Sequence, residues 1–122
     1  MTRAVDVAII GAGPYGLAAA AHLSAAGVDT RVFGTPMRFW QAQTPAGMLL
    51  RSPYRGSDIG DPGRRLTFPR HQRATGLPVA VPVPVDRFIE YGRWFQRAAV
   101  PELDERDVRG VERNANGFEV AA

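Results

Sequence analysis

The chain opens on a short, mostly β-branched apolar run, Val5-Asp6-Val7-Ala8-Ile9-Ile10, that ends at a glycine, the pattern of a buried parallel strand. Gly11-Ala12-Gly13-Pro14-Tyr15-Gly16 follows, then the alanine-rich Leu17 to Ala26, a stretch of high helix propensity. Gly27 stands where a left-handed residue closes a helix, and Thr30-Arg31-Val32-Phe33 reads as a second strand. Strand, glycine turn, helix and strand within about 30 residues make a βαβ unit. Ala20, Leu23 and Gly27 continue the face begun by Gly16 and are expected against the sheet.

From Gly34 to Pro84 the periodicity is lost. Pro36, Pro45, Pro53, Pro62, Pro69, Pro78, Pro82 and Pro84, with glycines between them, deny this stretch long elements. A short helix around Met37–Gln43 and an extended Met48-Leu49-Leu50 are expected. So long an irregular excursion in a compact domain points to a wrapping role around a ligand or another part of a larger protein. Order returns at Val85: Phe88, Ile89, Gly92, Phe95 and Ala99 share one helical face, Asp86 suits the first turn, and Pro101 ends the helix. Tyr91 and Trp94 are expected as core or rim packing, and Gly92 inside the helix suggests close approach of another element. Val108 to Arg113 and Phe118 to Ala121 then form a hairpin around Asn114-Ala115-Asn116-Gly117. The fold class expected is α/β: a Rossmann-like βαβ with a GxGxxG turn, a Pro/Gly-rich excursion, one helix and a C-terminal hairpin.

Composition narrows the chemistry. With 122 residues, 45% hydrophobic and 22% charged, the chain is one globular unit, and 13 glycines and 10 prolines agree with its loops. There is no cysteine, hence no disulfide, thiolate metal site or redox dithiol within these residues. No apolar run is long enough for a membrane span, and Asp6 with the glycine turn interrupts what a secretory signal needs, so a cytoplasmic location is expected. All 15 cations are arginine, which excludes a Schiff-base or P-loop lysine. Only Arg64, Arg65, Arg70 and Arg73 cluster; the reading is a solvated loop, with steering of an anionic substrate or an NADPH phosphate as the functional alternative. No basic stripe with interleaved aromatics supports nucleic-acid binding. His22 and His71 lack partners at ligand spacing and are read as surface residues. Ser24 and Ser57 lack the setting of a hydrolase nucleophile.

The glycine turn carries the chemistry. Gly11 permits the tight turn off the strand, Gly13 lets a pyrophosphate approach the backbone, and Gly16 lets the helix pack close to the sheet. The helix N-terminus then offers unpaired N–H groups and partial positive charge. A carboxylate about twenty residues further on ordinarily binds the adenosine ribose, but that place is Gly34, and no acid follows until Asp58. Either the backbone and neighbours such as Thr35 or Arg38 hold the ribose, or dinucleotide affinity is impaired.

The strings VAIIGAGPYGLAAAAHL, VFGTPMRFW, AGMLLRSP and VDRFIEYGRWFQ resemble the N-terminal part of flavin-dependent monooxygenase-like oxidoreductases, relatives of flavin-containing monooxygenases and lysine/ornithine N-hydroxylases. The resemblance covers nearly the whole chain, and the Gly-Pro-Tyr-Gly form of the turn favours FAD over NAD. It implies that Gly11, Ala12, Gly13, Pro14, Tyr15 and Gly16 meet the FAD pyrophosphate, with Phe33 and Gly34 by the adenosine. It also implies that Trp40 and the Met48–Ser52 segment, with Arg51 and Ser52 as its polar groups, approach the flavin, and that the Val108 backbone meets the adenine. In such enzymes NADPH reduces the flavin, and oxygen is then used to oxygenate a nitrogen, sulfur or carbon centre, so no catalytic side chain is assigned.

The resemblance further implies a second glycine fingerprint for NADPH and a closing segment beyond Ala122. Residues 1–122 are therefore expected to be the N-terminal portion of one FAD-binding domain, partnered by the remainder of the same protein and by a small-molecule substrate of unknown identity. A non-catalytic remnant or nucleotide-binding module is the alternative, favoured by Gly34 and the single fingerprint. An NAD-linked dehydrogenase is disfavoured because no Tyr-x-x-x-Lys pair exists. The missing thiols argue against a flavin–disulfide reductase whose dithiol lies near the first fingerprint.

Overall fold

The computed structural model describes residues 3–78 and 80–122. Strand β1 (Val7–Ile10) leads through the glycine turn into α1 (Pro14–Ala25), and β2 (Thr30–Phe33) returns parallel to β1 in register Val7 to Thr30 through Ile10 to Phe33. The excursion contains α2 (Arg38–Ala42), a 3-10 turn at Tyr54–Ser57 and α3 (Phe68–Thr75). Helix α4 (Val85–Ala99) then crosses the unit, and β3 (Gly110–Asn114) pairs antiparallel with β4 (Gly117–Ala121) as a hairpin.

The βαβ unit forms as expected, but β1 is not buried on both faces. Its residues alternate between half-buried and exposed, and Ile10 is 56% exposed. Among the described residues β1 pairs only with β2, so it lies at a sheet edge and shows the alternation of a strand covered on one face. On α1 the expected face is shifted. Leu17, Ala20 and Ala21 are its buried residues, while Leu23 is half-buried and Gly27 exposed. The helix lies against α4 as well as the sheet, and together they bury its middle, from Leu17 to Ala21.

Helix α3 departs from the expectation of an irregular stretch. Thr67 caps it, its hydroxyl accepting from Arg70 N at 3.3 Å, Pro69 stands in its first turn and Gly76 closes it at φ +70°. Pro69 therefore starts a helix here rather than breaking one, since the missing N–H would be unpaired in the first turn anyway. The same helix overturns the reading of His71 as a surface residue. It is only 2% exposed, enclosed by the rings of Phe68, Tyr91 and Trp94 at centroid distances of 6.0, 5.7 and 5.3 Å. Among the described residues, its Nδ1 has no hydrogen-bond partner.

The core gathers on α4. Phe88, Ile89, Tyr91 and Phe95 pack with Leu17, Val32, Met37, Ile59 and Phe68. Tyr91 ties the excursion down: its hydroxyl accepts from Ile59 N at 2.9 Å and donates to the Leu66 carbonyl at 2.6 Å, while its ring stacks on Phe68 at 4.5 Å. Burial raises this phenol above its ordinary range, so it stays a donor. Gly92 admits Met37: a Cβ at position 92 would lie 2.4 Å from the Met37 Cγ and Sδ.

Two outcomes follow from this packing. Gly92→Ala is expected to destabilise the fold by about 1–3 kcal/mol in urea unfolding, because the added methyl forces the fully buried Met37 side chain to repack. The same change is expected to cost markedly less in a Met37→Ala background. Burial pushes the His71 imidazole below its ordinary value of 6.5; the nearby Glu90 opposes this, and Arg87 and Arg97 reinforce it. The unfolded chain therefore takes up the proton more readily, so His71 costs the fold nothing above about pH 6.5 and lowers its stability as pH falls below that value. Urea unfolding at pH 7.5 and 5.5 is expected to show that loss in the native chain and a smaller one in His71→Phe.

Candidate dinucleotide site

The site is built where β1 hands over to α1. Gly11, at φ +113°, turns the chain while its N–H donates to Phe33 O at 2.8 Å. The Ala12 carbonyl accepts from Met37 N at 3.0 Å, and the Gly13 carbonyl accepts from Leu17 N at 2.9 Å, starting the helix. A Cβ on Gly16 would lie 2.1 Å from the Gly11 carbonyl oxygen, so no side chain fits there without displacing backbone. At Gly13 the opposite holds: a Cβ would meet nothing within 4 Å. The backbone of Gly13 faces open space, the room an incoming ligand needs.

The N-terminus of α1 meets the chemistry of an anion. Among the described residues no side chain caps it, its first turn contains no acid, and Pro14 has no N–H to satisfy. Among the described residues, no hydrogen bond engages the N–H groups of Ala12, Gly13, Tyr15 or Gly16. Free backbone donors at the positive end of a 12-residue helix are what a pyrophosphate uses. Tyr15 is 93% exposed, so its side chain leaves the turn open.

Phe33 and Gly34 lie beside this turn. Phe33 is buried, with the Arg31 guanidinium over its ring at 5.1 Å. Gly34 sits at φ +127°, and a Cβ on it would lie 3.4 Å from Ala12 N. The missing ribose carboxylate agrees with this backbone, since a side chain at position 34 would be strained by the positive φ, even though its Cβ would make only ordinary contacts. Arg38 is already engaged, its Nη1 donating to both oxygens of Asp107 at 2.8 and 2.9 Å.

The remaining candidates are placed apart from the turn. Trp40 is half-buried, edge-on to Phe88 at 4.9 Å. The Met48 carbonyl accepts from Val85 N at 2.8 Å, and Leu50 N donates to Val83 O at 2.7 Å, so this segment runs extended beside the entry to α4. Arg51 is exposed, and the Ser52 hydroxyl is paired with that of Ser57 at 2.8 Å. Val108 is half-buried just before β3, while Arg109 N extends the hairpin pairing to Ala121 O at 2.7 Å. Among the described residues, no hydrogen bond joins Trp40, Arg51, Ser52 or Val108 to the glycine turn.

Asp104 supports the site and carried no local signal. Its N–H donates to Val32 O at 2.9 Å and its carbonyl accepts from Gly34 N at 2.8 Å, adding a parallel strand position beside β2. Arg106, through its side chain and backbone N–H, and then Arg31 hold the Asp104 carboxyl well below the usual carboxylate range. Such a pairing, made across some seventy residues of sequence, leaves no periodicity to read.

A parallel βαβ with a glycine turn and a free helix N-terminus defines a Rossmann-like dinucleotide-binding unit. Residues 4–41 match the family model described as FAD binding domain, which supports FAD as the dinucleotide. The chain is similar to the bacillithiol disulfide reductase Bdr (YpdA) of Staphylococcus aureus at 22% identity and a TM-score of 0.76, covering 98% of this chain and 34% of that one. It is also similar to the lysine monooxygenase NbtG of Nocardia farcinica at 18% identity and a TM-score of 0.70, covering 95% of this chain and 41% of that one. These likenesses show the fold, and the chain spans well under half of either structure's length. No curated protein sequence matches it.

The two helix-start glycines are expected to separate by their surroundings. Gly16→Ala forces a backbone clash and is expected to destabilise the fold by several kcal/mol, read by urea unfolding. Gly13→Ala, with open space at its Cβ, is expected to stay within about 1 kcal/mol of the native chain.

Proposed function

We propose that the chain is the FAD-binding portion of an NAD(P)H-dependent, monooxygenase-like flavoprotein acting in the cytoplasm. The observation that carries the reading is the N-terminus of α1: free N–H groups, no capping side chain, no acid, and open space over Gly13. In this reading residues 11–16 hold the pyrophosphate through backbone donors. Phe33 and Gly34 lie at the adenosine end, where the backbone replaces the absent carboxylate. Trp40, Met48, Arg51 and Ser52 line the approach to the flavin, and the Val108 backbone meets the adenine. Bound FAD supplies the electron transfer, and the chain's own residues bind it, orient it and keep water from it.

The monooxygenase class draws on the resemblance of the quoted strings and on the absence of cysteine within these residues. A disulfide reductase would have to take its thiols from elsewhere. In this reading none of the 122 residues is assigned to the substrate or to NAD(P)H. A second reading, a nucleotide-binding module with no turnover of its own, is favoured by the single glycine fingerprint in the 122 residues.

Purification with added FAD is expected to yield a retained flavin spectrum with altered fluorescence, and Gly13→Ala is expected to weaken that retention at least about tenfold while the fold survives. A chain showing only free-flavin signals would sink the proposal. NADPH-dependent oxygen uptake by the 122-residue chain alone would eliminate the non-catalytic reading.

A further inference from the structure

Outside the glycine turn, the molecule concentrates positive charge in one place. Residues 51–73 hold six arginines against two aspartates, a net of +4, whereas the whole chain is only +3. Both aspartates are committed to the backbone. Asp58 accepts from Phe68 N at 2.7 Å, and Asp61 accepts from Arg65 N and Leu66 N, each at 3.0 Å. Among the described residues, none of the guanidiniums of this segment enters an ion pair or a side-chain hydrogen bond. Solvated cations are ordinary, but here two of them share a concave site.

We propose that the cleft between the Tyr54–Ser57 turn and α3 binds an organic phosphomonoester. Arg55 and Arg73 line this open cleft of about 590 Å³, together with Tyr54, Pro69, Gln72 and Leu77. The two guanidiniums on this lining balance the charge of a phosphomonoester dianion, and each can donate a pair of N–H groups to its oxygens. The Tyr54 hydroxyl donates to Gln72 Oε1 at 2.7 Å, which orients the carboxamide and leaves its N–H groups as further donors. Burial, and next the Asp58 charge, raise the Tyr54 phenol above its ordinary value against the opposing pull of Arg73, so it remains a donor at neutral pH. Pro69, Leu77 and the half-buried Tyr54 ring, tilted on Phe68 at 5.2 Å, supply an apolar wall for the organic body. The anion site at α1 is made of backbone donors, whereas this one is made of side chains, so the two can be removed separately.

Isothermal titration of the 122-residue chain at low salt, with phenyl phosphate and separately with inorganic phosphate, tests the proposal. The expected result is saturable binding of phenyl phosphate, severalfold tighter than inorganic phosphate. The double variant Arg55→Gln/Arg73→Gln is expected to weaken it at least about tenfold. Arg64→Gln/Arg65→Gln removes the same charge outside the cleft and is expected to leave affinity within about twofold. Flavin retention, measured in parallel, is expected to be unchanged in both variants, so failure here is distinct from failure of the FAD reading. Three results overturn the proposal: no saturation, equal weakening by the two double variants, or phenyl phosphate binding no tighter than inorganic phosphate. The second would reveal diffuse charge attraction in place of a site.

Discussion

The contact between Gly16 and the Gly11 carbonyl governs the functional end of this molecule. With no room for a Cβ, the first turn of α1 lies directly on the chain leaving β1. That approach sets the direction of α1, exposes its first N–H groups and closes the turn against β2 through the Gly11–Phe33 hydrogen bond. Met37 then reaches back to Ala12 with its own N–H, so the segment after β2 is positioned by the same turn. Met37 in turn fills the gap left by Gly92, which couples the turn to α4. A chain of small-residue contacts thus runs from the anion site to the core.

The second anchor is the Tyr91 hydroxyl. The proline- and glycine-rich excursion has few regular elements of its own, and its ordering is offset by the apolar residues it sends into the core and by contacts made to it from α4. Tyr91 satisfies backbone groups of Ile59 and Leu66 from one buried oxygen, and its ring stacks on Phe68. Tyr91 thus holds Ile59, which follows the Tyr54–Ser57 turn, and Phe68, which starts α3, against α4.

Local signals were legible, and long-range ones were not. The βαβ order, the hairpin with Gly117, the extent of α4 and the close approach at Gly92 all follow from periodicity and glycine placement within a few residues. Helix α3 had its signals too, Thr67 as cap and Gly76 as terminator, but Pro69 read as a breaker where it stands in the first turn. His71 looked solvated because its neighbours in sequence are arginine and glutamine; its burial comes from Tyr91 and Trp94, about twenty residues away. Asp104 was silent for the same reason, since its value lies in pairing with Val32, Gly34 and Arg31. The strand β1 looked buried because its composition is that of a central strand, while its observed burial depends on which strands lie beside it.

Gly34 joins these threads. In the usual dinucleotide fingerprint the turn reads phosphate through backbone, and an acid at the end of β2 reads the ribose through a side chain. Here the end of β2 is itself part of the close-packed turn, with Gly34 pressed toward Ala12 on one side and bonded to Asp104 on the other. A carboxylate at that position would have to adopt a left-handed backbone that glycine alone takes without strain. Recognition built this way depends on shape and on backbone donors more than on side-chain charge. Positions such as Tyr15, whose side chain points to solvent, are then freer to vary than Gly11, Gly16 or Gly34. The positive φ that disfavours a carboxylate at Gly34 belongs to the same turn that leaves the first N–H groups of α1 without partners among the described residues.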